Sequence, residues 1–138
     1  MDVVYVIAPF TGWFIAGSLK FAINFLRSGR FVWNQLGLGR LPSNHTAVVS
    51  STAILIGLRE GVNTALFAIA LTLAIIVIFD ALNLRREVGA HAAVLNKLLQ
   101  GDATWQPLRE HVGHQQVEVL MGLLVGLGCA LSLHAIFP

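Results

Sequence analysis

The sequence predicts an all-α fold, an integral membrane bundle of four transmembrane helices forming one domain over residues 1–138. Two observations carry this. Hydrophobic residues make up 56% of the chain and charged residues only 12%, far from the balance of a soluble domain. The charges are also clustered, which leaves four uncharged runs: Val3–Leu19, Leu41–Leu58, Gly61–Phe79 and Val119–Pro138. Crossing a hydrocarbon core takes roughly 20 helical residues, and each run suffices once its flanks are included.

The first run begins at Met1-Asp2 without a basic n-region, and its first positive charge is Lys20. It therefore reads as a retained helix of about Val3–Leu26, not a cleavable signal peptide, with Lys20 and Arg27 snorkelling at its inner end. Pro42 and Ser43 precede the second run as helix-start residues, Ser43 as the cap. A short turn, Arg59-Glu60-Gly61, separates the second run from the third. The long polar stretch Arg85–Gln115 follows. Within it Arg86–Gln100 spaces Val88, Ala92, Leu95, Leu98 and Leu99 as a short interfacial helix would. Gly101-Asp102 breaks that pattern, and Trp33 and Trp105 suit anchors at headgroup level. In the last run Gly122 and Gly126 form a small-xxx-small pair, the signature of close helix packing. The lone Cys129 leaves no internal disulfide to form.

Eight of the nine Lys and Arg residues (Lys20, Arg27, Arg30, Arg40, Arg85, Arg86, Lys97 and Arg109) fall on one face of such a bundle, and only Arg59 on the other. The positive-inside rule places that face in the cytoplasm and both termini outside, in a multi-pass protein of the cell (inner) membrane.

Three polar clusters share this face. Lys20 and Arg27 are seven residues apart, two helical turns, so both cations can address one site. That arrangement suits a phosphate; ordinary snorkelling is the plain alternative. Arg40-Leu41-Pro42-Ser43-Asn44-His45 sits at a helix start, where free N–H groups and the dipole seat an anion and His45 can donate a proton. The alternative is a simple cap with a polar interface histidine. In Arg109-Glu110-His111-Val112-Gly113-His114-Gln115-Gln116-Val117-Glu118, His114 and Glu118 are four apart, so the carboxylate can hold one imidazole nitrogen and leave the other as nucleophile or base. A solvated first turn with an incidental ion pair is the alternative there. His111 and His134 read as a loop residue and a polar residue near the outer helix end.

Together Lys20-x6-Arg27, Pro42-Ser43-Asn44-His45 and Gly113-His114-x3-Glu118-Val119 resemble the three-part signature of the type-2 phosphatidic acid phosphatase superfamily. The resemblance is nearer to its small divergent branch, related to acid phosphatases and vanadium-dependent haloperoxidases. The marks of that branch are Pro42-Ser43-x-His45-x-Ala47, Asp80-Ala81-x3-Arg85-Arg86, Leu95-Asn96 and Gly113-His114-x3-Glu118-Val119.

The resemblance implies a metal-independent phosphatase working through a phospho-histidine, without a cofactor. His114 would attack phosphorus, Glu118 would orient it, and His45 would protonate the departing oxygen. Lys20, Arg27 and Arg109, with Ser43, would hold the phosphoryl oxygens. Asn44 takes the place of the usual glycine in the second motif and counts with the phosphate ligands. Asp80, Arg85 and Arg86 have no counterpart in the parent signature and are candidate substrate contacts or a structural pair. Arg27 is followed by Ser28 in place of proline, Glu118 stands for an aspartate, and Arg109 precedes His114 by five residues where the parent pattern has six. Arg85-x5-His91 matches that spacing, but position 95 is Leu95 where an acid belongs, so His114 is preferred to His91 as the nucleophile.

The partners expected are a phospholipid or polyprenyl phosphate substrate and the surrounding membrane lipids, with no nucleic acid. A homodimer would bury more of so thin a bundle. Two other classes use the same residues: a non-enzymatic lipid-phosphate binder or transporter, and a metal-dependent phosphohydrolase with ligands from Asp80, His91, Glu110, His114 and Glu118.

Overall fold

The computed structural model describes residues 3–28, 41–102 and 104–137, with the backbone alone for Arg27 and Ser28. Five α-helices follow in order: α1 (Val4–Ser28), α2 (Asn44–Glu60), α3 (Ala65–Phe79), α4 (Arg85–Leu98) and α5 (Gln116–Ile136). No strand occurs among the described residues. Among the described residues three helical stretches are long and apolar enough to cross a membrane: Val4–Leu26, Ala65–Leu98 and Gln116–Ile136. The 17-residue α2 falls short of them in length, and carries Thr46, Ser50, Ser51 and Thr52 along its course.

The bundle is organised around α2, which packs against α1, α3 and α5. Its hydroxyls do not demand water. Ser50 Oγ donates to Thr46 O at 2.6 Å, Thr52 Oγ1 to Val48 O at 3.2 Å, and Ser51 Oγ reaches across to Ala8 O of α1 at 3.0 Å. Small, internally satisfied side chains let neighbouring backbones approach closely. The faces that meet α2 are correspondingly small. In α1 the buried stripe is Val4, Ala8, Gly12, Ala16 and Lys20, each four residues from the last, so the stripe ends on a lysine. In α5 it is Glu118, Val119, Gly122, Gly126, Cys129, Ala130 and Leu133, beginning on a carboxylate.

The expected close packing at Gly122 and Gly126 is present. A Cβ on Gly122 would lie 2.7 Å from Ser43 O and 2.8 Å from Thr46 Cβ, and one on Gly126 would collide with Ser50 Oγ. Gly12 of α1 is equally confined, 2.7 Å from Ala47 O and 2.6 Å from Ser51 Oγ. At the end remote from Lys20, Tyr5 Oη donates to Glu60 Oε1 and the Arg59 guanidinium sits 5.5 Å from the Tyr5 ring, tying α1 to the end of α2.

One boundary differs from expectation. The third helix does not end near Arg85, where the sequence places the start of a long loop, to leave a separate interfacial helix within it. It runs through a π-helical turn, Asp80–Leu84, directly into α4, because no glycine or proline interrupts residues 80–84. The 34 residues from Ala65 to Leu98 span about 51 Å at about 1.5 Å per residue, well beyond a core of about 30 Å.

The segment after α4 folds back along it. Asn96 clamps it: Nδ2 donates to Leu108 O at 2.8 Å and Glu110 Oε1 at 2.9 Å, while Oδ1 accepts from Leu108 N at 2.8 Å and Trp105 Nε1 at 3.2 Å. The Trp105 indole, expected as a headgroup anchor, is thus hydrogen-bonded to α4. Trp33, Arg30 and Arg40 lie outside the described residues.

The same substitution at two glycines of α5 tests this packing. Gly126→Ala should lower stability by about 1–3 kcal/mol through overpacking, read as a fall in Tm in detergent. Gly128→Ala faces open space and should be neutral. Equal Tm values for the two variants would contradict the close contact of α5 with α2.

Candidate functional site

Ser43 caps α2 as its sequence predicts: Thr46 N donates to Ser43 Oγ at 3.3 Å and Thr46 Oγ1 donates to it at 3.0 Å. The Ser43 N–H itself donates to Glu118 O at 2.9 Å, which fixes the start of α2 to the first turn of α5. Residue 114 precedes α5 and is not within it, so the His114–Glu118 pair is made by helix capping and not by a shared helical face. Glu118 Oε2 accepts from Gln115 N at 3.2 Å as half of a capping box. The same oxygen lies 3.4 Å from His114 Nδ1.

The approach to His114 depends on Gly113. Its φ of +100° is open to glycine, and a Cβ there would stand 2.8 Å from Arg86 Cγ and 3.1 Å from Arg86 N. His114 N then donates to Ala81 O, in the π turn, at 3.0 Å. Gly89 has a similar role a turn further along α4, where a Cβ would strike Glu110 O. So the third motif is held from two sides, by the start of α2 and by the π turn.

Between these elements lies a cavity of about 450 Å³, lined by Trp13, Lys20, Asn44, His45, Val48, Val49, Val77, Arg85, Arg109, Val112, Gly113 and His114. Lys20 is only 4% exposed and His114 8%. The His45 and His114 rings face each other obliquely, 5.6 Å between centroids. Both ring nitrogens of His114 are buried without a hydrogen-bond partner among the described residues, Nδ1 having only the Glu118 carboxylate 3.4 Å away, a costly state for polar atoms unless something fills the site. Burial pushes the His114 imidazole below its ordinary pKa, with Glu118 opposing the shift. That shift favours the neutral ring near pH 7, which keeps a lone pair on one nitrogen.

Arg85 is placed by the π turn. Its Nε donates to Asp80 Oδ2 at 3.2 Å and its Nη2 lies 3.4 Å from His45 Nε2. Among the described residues three cations, Lys20, Arg85 and Arg109, line the cavity and no carboxylate does. That imbalance favours an anion.

Of the residues singled out from sequence, Lys20, Asn44, His45, Arg85, Arg109 and His114 line the cavity. Ser43, Asp80 and Glu118 stand behind it, each bonded to a residue that does or to the frame around it. Arg86 is not among the lining residues and packs on Gly113. Adjacent helical residues point about 100° apart, so Arg85 and Arg86 cannot both face α2. His91 is exposed on α4 and away from the lining. The Arg27 side chain lies outside the described residues. Sequence reading missed the apolar wall of Trp13, Val48, Val49 and Val77. One signal was available: Trp13 lies seven residues, two turns, before Lys20. No group of three or more His, Cys, Asp and Glu is gathered as a metal would need among the described residues.

Comparison with known proteins agrees with the motifs. The chain is 32% identical over 136 residues to the uncharacterized membrane protein YuiD of Bacillus subtilis (strain 168), with 86% of each chain covered. No solved structure matches it. Residues 2–129 match the family described as the Divergent PAP2 family, and the chain, a multi-pass membrane protein, belongs to that family.

Proposed function

We propose that the protein is a metal-independent lipid phosphate phosphatase that works through a phospho-histidine. The observation that carries the reading is a buried His114 with an unpartnered Nε2, in a cavity whose charged lining among the described residues is cationic. Lys20, Arg85, Arg109 and Asn44 hold the phosphoryl oxygens as charge shifts in the transition state. His114 attacks phosphorus, Glu118 orients it through Nδ1, and His45, across the cavity, protonates the departing ester oxygen. Water then hydrolyses the phospho-histidine. Arg27, by its motif, joins the phosphate ligands. The apolar wall from Trp13 to Val77 suits the chain of a membrane-borne substrate, a phosphatidate, a phosphatidylglycerol phosphate or a polyprenyl diphosphate.

The test is phosphate release by purified protein over those three lipids in excess chelator. Wild type should turn over and carry acid-labile phosphate on histidine. His114→Ala should lose at least about 10³-fold in rate while still binding phosphate. His45→Ala should slow lipid esters about 10²–10⁴-fold and spare an activated aryl phosphate. His91→Ala should keep most of the rate. Activity should fall as the pH drops through the lowered pKa of His114. Glu118→Gln removes the group that raises that pKa, so it should slow turnover and move the acid limb to lower pH. An inactive wild type that binds phosphate would leave a lipid-phosphate binder, and activity lost to chelator a metal enzyme.

We further propose that α2 is a fourth span. A four-residue turn joins it to α3, and Gly57 of α2 packs on Phe67 of α3, so the two run side by side through the same depth. The motif face is then cytoplasmic, a placement its excess of cations supports. Cysteines introduced singly at Gly101 and Val62, both exposed, in a Cys129→Ala background, check this. The first should be shielded from an impermeant thiol reagent in intact cells and the second labelled; the opposite pattern would invert the orientation.

A further inference from the structure

We propose that Arg85 is a latch on His45 that the substrate itself displaces. In the empty site it holds His45 as a neutral imidazole with Nε2 bare. It frees that nitrogen for protonation only when an oxyanion takes the guanidinium. The inference rests on the phosphatase reading above.

The geometry behind it is local. Arg85 Nη2 lies 3.4 Å from His45 Nε2. A guanidinium has donors only, so Nε2 meets it with a lone pair and the ring proton sits on Nδ1. Held this way, His45 has no proton on Nε2 to give to a leaving group. Arg85 is anchored at its other edge, where Nε donates to Asp80 Oδ2 at 3.2 Å, and its side chain also lines the cavity. The free edge of the fork therefore chooses between His45 and whatever enters.

Charge decides that choice. Around His45 stand Arg85 from α4, Lys20 from α1, and Arg109 and His114 from the segment before α5; Asp80 is engaged by Arg85. An imidazolium added to that set faces three cations against the one carboxylate of Asp80, itself paired with Arg85, so the empty site favours a neutral His45. A phosphoryl dianion reverses the balance. The guanidinium fork matches two phosphoryl oxygens, and such charge-assisted bonds are roughly twice as strong as neutral ones. Released, Nε2 takes a proton from water. In the reaction that proton passes to the ester oxygen as the P–O bond breaks and its electron pair goes to oxygen, while His114 forms the new N–P bond. His45, neutral again, can accept a proton from the water that cleaves the phospho-histidine. The acid is thus armed only with phosphate in place.

Nitrogen-15 NMR of histidine-labelled full-length protein in nanodiscs near neutral pH reads this directly, with His45→Gln to assign the resonance. Empty wild type should show His45 with Nδ1 protonated and Nε2 bare. Saturating sulfate, a dianion that does not titrate there, should protonate both nitrogens. Arg85→Met should let the Nε2–H tautomer appear in the empty protein. Asp80→Asn, which keeps the guanidinium but loosens its anchor, should give a mixture of the two tautomers. Nε2 protonated in the empty wild type, or a bare Nε2 unmoved by saturating sulfate, would overturn the latch. Phosphate release in those cases leaves the phosphatase reading standing. Sulfate-driven protonation without phosphate release from any lipid would support the latch and remove turnover.

Discussion

At Gly122 and Gly126 the backbone of α5 comes so near α2 that a single methyl group would strike Ser43 and Ser50, and at Gly12 α1 does the same against Ala47 and Ser51. Helices gain nothing from the hydrophobic effect when lipid is their solvent, so van der Waals contact between small faces must hold them together. That contact fixes the register of α1 and α5 against α2. The consequence for chemistry is direct. The α1 stripe ends on Lys20 and the α5 stripe starts on Glu118, so the register that packs the bundle also sets a cation and a carboxylate beside the capped start of α2.

Burying these groups has a cost that the fold does not hide. Lys20 and His114 are both nearly inaccessible, and among the described residues no carboxylate lines their cavity. Glu118, 9% exposed, is engaged by the Gln115 N–H and the His114 ring. A bundle selected for stability alone would place apolar side chains at those positions. The excess positive charge makes sense once an anion completes the site, which is also the reason a neutral His114 and a cationic lining belong together.

Much of this was legible in the chain. Ser43 as a cap, Gly122 and Gly126 as a contact, and the pairing of His114 with Glu118 follow from spacing and residue type alone. The pairing held although residue 114 is not helical, since a capping box brings the same two positions together. Local rules could not show that α3 continues through Asp80–Leu84 into α4. Hydropathy marks where charge begins, and charge at Asp80, Arg85 and Arg86 does not break a helix. Nor could they place Arg85 on His45, a contact across 40 residues. Asn96 shows the same limit: its partners fall 9 to 14 residues away in irregular chain that has no period to read. Residues in the motifs also sorted by depth in a way sequence does not express, with Ser43, Asp80 and Glu118 behind the cavity and Asn44, Arg85 and His114 at its wall.

An experimental structure with vanadate bound tests most directly whether one register delivers three motifs to one oxyanion site. The anion should lie between Lys20, Arg85 and Arg109, with His114 Nε2 within bonding reach of vanadium and His45 on the opposite side. Vanadate seated outside this cavity, or bound within it while His114 Nε2 points away, would contradict the proposed phospho-histidine chemistry and the convergence on which it depends.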